Sequence, residues 1–108
     1  MQTATPVSMP DAVREMLRDV AKKVDEAIRL APGEQVKSRF GDALDAAIAA
    51  RNRLIALARD VDGDEKAAAC LPAVNALLSM MSSIEYPLEG LHLQRMQTVR
   101  QELQRLAA

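Results

Sequence analysis

The side chains best suited to chemistry in this chain are His92, Cys70 and the acidic run Asp60-Val61-Asp62-Gly63-Asp64-Glu65. Asp60, Asp62 and Asp64 carry the 1, 3, 5 spacing of ligands in an EF-hand calcium loop. The pattern then breaks twice, because Glu65 stands where that loop needs glycine and Leu71 stands where it needs a bidentate acid. The same residues make a good helix start, with Asp62 or Asp64 as N-cap and Asp62 paired with Glu65 in a capping-box spacing. The cap is the favoured reading, and no metal is expected.

His92 is the only histidine and Cys70 the only cysteine. One of each builds a zinc site only if two carboxylates join them, and no ligand spacing suggests that. A single histidine on a helical chain invites comparison with histidine phosphotransfer domains, whose histidine is followed by a short basic and glycine-containing signature. Here His92-Leu93-Gln94-Arg95-Met96 keeps a basic residue three positions on but lacks the glycine. His92 also falls near the start of its helix. A surface or boundary histidine is the favoured reading, and a phosphocarrier is the weaker one. No serine has a base other than His92 to activate it. Cys70 lies beside Leu71 and among alanines, which predicts a buried, inert thiol. Gly33, Gly41, Gly63 and Gly90 are scattered, so no phosphate loop or dinucleotide fingerprint is present. Asp42 and Asp45 read as a solvated face. No catalytic residue and no cofactor is expected, and the chain is read as a non-enzyme.

The elements that would carry these residues are helices. Aromatics make up 2% of the 108 residues, and Trp is absent. Both facts speak against β-rich folds and base-stacking platforms. Residues 1–8 read as a flexible lead, with Ser8 a candidate N-cap and Asp11 three residues on. A first helix is predicted over 9–31. Val13, Leu17, Val20, Val24, Ala27 and Ala31 form a heptad seam, and Met16, Ala21 and Ile28 widen it. Acids and bases pair at helical spacing on its other faces. Pro32-Gly33 is a stop signal. A second helix is predicted over 34–61, with Phe40, Ala47, Leu54 and Val61 seven residues apart and Ala43, Ala50 and Leu57 between them. Leu44, Ile48, Ile55 and Ala58 broaden that face. Gly41 marks either a close helix approach or nothing.

The third helix is predicted over 65–85, either kinked at Pro72 or split there into two pieces. Tyr86-Pro87 is read as its end. A fourth helix is predicted over 87–107 from Leu88, Leu91, Met96, Val99, Leu103 and Leu106. Its arginines 95, 100 and 105 are spaced by five and form no single stripe. The whole is one helical domain over 9–108. The expected fold class is all-α: an antiparallel four-helix bundle, or helical hairpins completed by dimerisation.

The formal net charge of -1 and pI of about 5.8 give no electrostatic case for nucleic acid or an anionic membrane. The N-terminal stretch has no basic region and no apolar run, so it does not read as a secretory signal. With a single cysteine, a reducing, cytoplasmic setting is expected.

One segment stands apart. Residues 67–84 contain no charged side chain, although 27% of the chain is charged. The segment is barely long enough for a membrane span and is too polar for one, with Pro72, Asn75, Ser79, Ser82 and Ser83 inside it. On a helical wheel one half is apolar and the other holds small neutral residues. Interface cores are depleted in charge and enriched in Met. Asn75, Ser79, Ser82, Ser83 and Met80 are therefore the candidate partner-interface residues, set against an ordinary exposed Ser/Asn face. The functional expectation is a helical regulatory or adaptor protein that binds a protein partner, homodimeric, of the size and class of inhibitors that sequester a transcription regulator. A secretion chaperone or structural component is the alternative.

Overall fold

The computed structural model describes residues 9–31, 33–60 and 65–108. Four helices, α1 (Asp11–Leu30), α2 (Gln35–Ala58), α3 (Glu65–Ser82) and α4 (Gly90–Leu106), pack as an all-α bundle. Helix α1 lies against α2 and α4, α3 lies against the same two, and neither diagonal pair touches. This ring follows from short connections, which leave consecutive helices antiparallel neighbours. The core closes within one chain, so the hairpin alternative that needed a second copy to complete it does not hold.

Each helix buries a heptad seam. In α1 it is Val13, Leu17, Val20, Val24 and Ala27, as the spacing predicts. In α2 it is Phe40, Ala43, Ala47, Ala50 and Leu54, extended one turn earlier by Val36. In α3 it is Ala67, Cys70, Val74, Leu77 and Met81, with Leu78 beside it. In α4 it is Met96, Val99 and Leu103. Steps of three and four keep one stripe facing the bundle axis. The buried set contains no polar or charged residue among those described. Burying each large aliphatic in it contributes roughly 1.5–3 kcal/mol. The three alanines of α2 let its backbone come close to its neighbours, and α1 with α2 is the most extensive contact in the bundle.

Local signals place the helix ends. The Arg14 N–H donates to the Pro10 carbonyl, closing the first turn of α1. After α1 the Gly33 N–H donates to the Leu30 carbonyl at 2.8 Å. A Cβ on Gly33 would stand 2.9 Å from that same oxygen, so the turn requires glycine. Gly41 marks no close approach, since a Cβ there meets nothing within 4 Å. Ser8, Pro32, Val61, Asp62 and Asp64 lie outside the described residues, as does the lead 1–8.

Several boundaries differ from the sequence expectation: α1 starts at Asp11, not 9, and α2 ends at Ala58, three residues short of 61. Helix α3 is continuous through Pro72 but ends at Ser82, three residues short of 85. The Ser83 Oγ donates to the Met80 carbonyl at 2.7 Å, offering that carbonyl a side-chain partner where the helix stops. Helix α4 begins at Gly90, not 87, and Gly90 takes φ +56°. Leu88 is buried from the connection, not from the helix. Leu91 is the correction that matters most. It was assigned to the α4 seam and is 58% exposed. It precedes Met96 by five residues, which is about 140° away from the core direction at 100° per residue.

Candidate interaction surface

His92 is half-buried at the start of α4 and serves the connection before it. The Glu85 backbone N–H donates to His92 Nδ1 at 3.2 Å, and His92 Nε2 lies 3.6 Å from a Glu85 carboxylate oxygen. An Nδ1 that accepts leaves the neutral ring protonated at Nε2. The ring thus ties residue 85 to α4, and its basic nitrogen is already occupied. Cys70 is buried, with 3% of its surface exposed. Nothing in this arrangement sets up a nucleophile with a base. Among the described residues no three His, Cys, Asp or Glu side chains gather as a metal site, and no helix is long and apolar enough to cross a membrane.

The outward faces of the helices fall into two kinds. Helix α1 presents ion pairs along its length: Arg14 with Asp11, Arg18 with Glu15, Lys23 with Asp19 at 2.9 Å and Arg29 with Asp25 at 2.7 Å. The Asp19 carboxylate raises the Lys23 ammonium above its ordinary pKa, first by hydrogen bonding and then by charge. Asp25 also reaches across to Arg100 of α4 at 3.2 Å, linking the two helices.

Helix α3 carries no charged residue past Lys66. Beyond its first turn the exposed residues are Ala68, Ala69, Pro72, Asn75, Ala76, Ser79 and Ser82, followed by Ser83. All four polar residues picked from the sequence are therefore on the outside, and Met80 is half-buried at the edge facing α4. Met80 and Ser83 form one wall of a groove of about 420 Å³. The other wall is Leu91, Gln94, Arg95 and Thr98 of α4. The α3–α4 seam is the least extensive helix contact in the bundle, which is why the groove opens there. The Thr98 hydroxyl donates back to the Gln94 carbonyl at 3.1 Å. With Ser83 bonded in the same way, both hydroxyls can turn to their own helices, leaving Leu91 and Met80 as the sticky part of the groove. Arg95 is half-buried and pairs with no carboxylate among the described residues.

The α4 wall is what the sequence did not reveal. Leu91 looked like one more seam residue, and only the phase fixed by Met96, Val99 and Leu103 turns it outward. A second, smaller depression of about 280 Å³ lies between α1 and α2, lined by Glu26, Arg29, Leu30 and Arg39. It is charged at its rim and has no continuity with α3.

No family model matches the chain, and no curated protein or solved structure matches it significantly.

Proposed function

We propose that the protein is a non-enzymatic regulatory or adaptor protein that works by binding another protein through helix packing, as a cytoplasmic homodimer. The α3 outer face carries the contact through Asn75, Ser79, Ser82 and Ser83, with Met80 at its edge. The observation behind this is the contrast in exposed chemistry: an uncharged strip of small residues runs along α3 beside a groove holding the exposed Leu91. Protein interfaces favour such a patch, where charge is low and apolar groups are ringed by polar ones. Inhibitors that sequester a transcription regulator are one class this reading fits, by size and helical character alone.

The test is affinity capture from the native cytosol with wild-type protein and with Ser79→Glu. The wild type is expected to retain one folded partner, and the variant to lose it while keeping its helical circular dichroism and melting temperature. Equal capture by both proteins would remove α3 from the reading.

A further inference from the structure

We propose that the groove between α3 and α4 receives an amphipathic helix of a partner protein, one that carries an apolar residue and a carboxylate one turn apart. This rests on the reading of the protein as a protein binder and adds the chemistry of what is bound and the place where it docks.

Two observations on α4 meet in this groove. The large hydrophobics left exposed among the described residues are Leu30 and Leu91, and Leu91 is the more exposed of them at 58%. The second observation is Arg95. The half-buried arginines Arg14, Arg51 and Arg100 each donate to a side-chain oxygen of the chain. Arg95 is half-buried as well, and it donates to no acceptor among the described residues. A cation that has given up part of its hydration and gained no acceptor is left short of a partner. A carboxylate is the partner whose two oxygens match the guanidinium fork.

The chain's own acids near α4 do not fill that place. Glu102 is held by Arg105 at 2.8 and 3.1 Å. The Glu85 carboxylate stands by His92 Nε2. Glu89, at the N-cap of α4, makes no ion pair with Arg95. Across the groove, α3 carries no charge past Lys66. The Ser83 and Thr98 hydroxyls turn to the Met80 and Gln94 carbonyls. The groove thus offers one positive charge beside Leu91 and Met80, and no lining residue is acidic. Its complement is an apolar group with a negative charge next to it.

Shape selects a helix as the carrier of those groups. Leu91 and Arg95 are four residues apart, one turn or about 6 Å along α4. They therefore form a row along the α3–α4 seam. A helix laid in the seam meets that row with side chains three or four residues apart. A small carboxylic acid fits less well, because small-molecule sites cover most of their ligand and this groove lies open between two helices.

Peptide selection tests the proposal. Random peptides of about three helical turns, roughly 11 residues, are displayed on phage and panned on the wild-type protein. The selected sequences are expected to share an apolar residue with Asp or Glu three or four places from it. One such peptide is then made and its binding measured by fluorescence anisotropy. Arg95→Gln should raise its dissociation constant at least ~10-fold, and Leu91→Ser should raise it several-fold. Neither variant should change the melting temperature, since neither side chain belongs to the core. Arg95→Glu should bind the peptide whose acid is replaced by Lys. Selected peptides without an acid, or binding that ignores Arg95→Gln, overturn the proposal. So does a wild type that is dimeric by light scattering and becomes monomeric on Arg95→Gln, which would put a second copy in the groove. A native partner lost on Ser79→Glu but kept on Arg95→Gln would leave the α3 surface standing and remove only the groove.

Discussion

Helices α1 and α3 bury the same kind of seam and turn opposite kinds of surface outward. Inside, each lays aliphatic residues at steps of three and four against the bundle axis. Outside, α1 is laced with ion pairs, and α3 shows alanine, serine, asparagine and proline. The difference teaches that charge is not needed on an outer face for the helix to pack. Its absence from α3 is the observation on which the proposed contact rests. Charged faces keep helices apart in water, and α3 lacks that protection along its whole exposed length past Lys66.

The sharpest way to break the comparison is to attack the half the two helices share. Leu17 of α1 and Leu77 of α3 are both buried, at 0% and 2% exposure. Leu17→Ala and Leu77→Ala should each cost about 2–5 kcal/mol, the range for a large-to-small change that leaves a cavity. For a domain of this size that lowers the melting temperature by several degrees per kcal/mol. Chemical denaturation of each variant measures it. If Leu77→Ala cost much less than Leu17→Ala, α3 would be a loosely held helix and its outer face a poor platform for anything.

Pro72 sharpens the other half. As an exposed residue in a helix interior, it leaves the Ala68 carbonyl without its usual donor. Pro72→Ala should therefore stabilise the fold by about 1–3 kcal/mol, the lower end applying because that carbonyl can be hydrated. The measurement belongs in the Ser79→Glu background, so that association does not add to it. A fall in stability would mean that Pro72 serves the chain's own packing.

How much of this could be read without coordinates depends on what sets each feature. The seams of α1 and α2 were legible because periodicity alone fixes them, and Val36 escaped only because its turn is otherwise polar. The neutrality of α3 is a compositional fact and needed no structure. The groove was not legible, because it depends on where α4 stands against α3. The 83–89 connection sets where α4 begins, at Gly90 with φ +56°, and so how its wall meets Met80 and Ser83. Leu91 lies about 140° from Met96 wherever the helix begins, so its exposure was open to a closer reading of the spacing. The role of His92 was hidden for the same reason, since its partner is the backbone of Glu85 across that connection.

The smallest expected effect tests what the charges of α1 are for. Most of its pairs lie on exposed helix surface at i,i+3 or i,i+4 spacing, and such pairs contribute a few tenths of a kcal/mol. Asp25 differs, because it joins Arg29 of its own helix to Arg100 of α4, and it and Arg100 are about two-thirds covered, with side chains 32% and 33% exposed. Asp25→Asn should cost about 1 kcal/mol after allowance for solvent screening, and less at high salt. Asp19→Asn, which breaks only the exposed Lys23 pair, should leave the melting temperature unchanged. Neither change should alter the mass of the particle in solution. If Asp25→Asn changed association as Ser79→Glu is expected to, the interface would lie on the α1–α4 side. The contrast between a charged face held apart by water and a neutral face held by a partner would then have to be reversed.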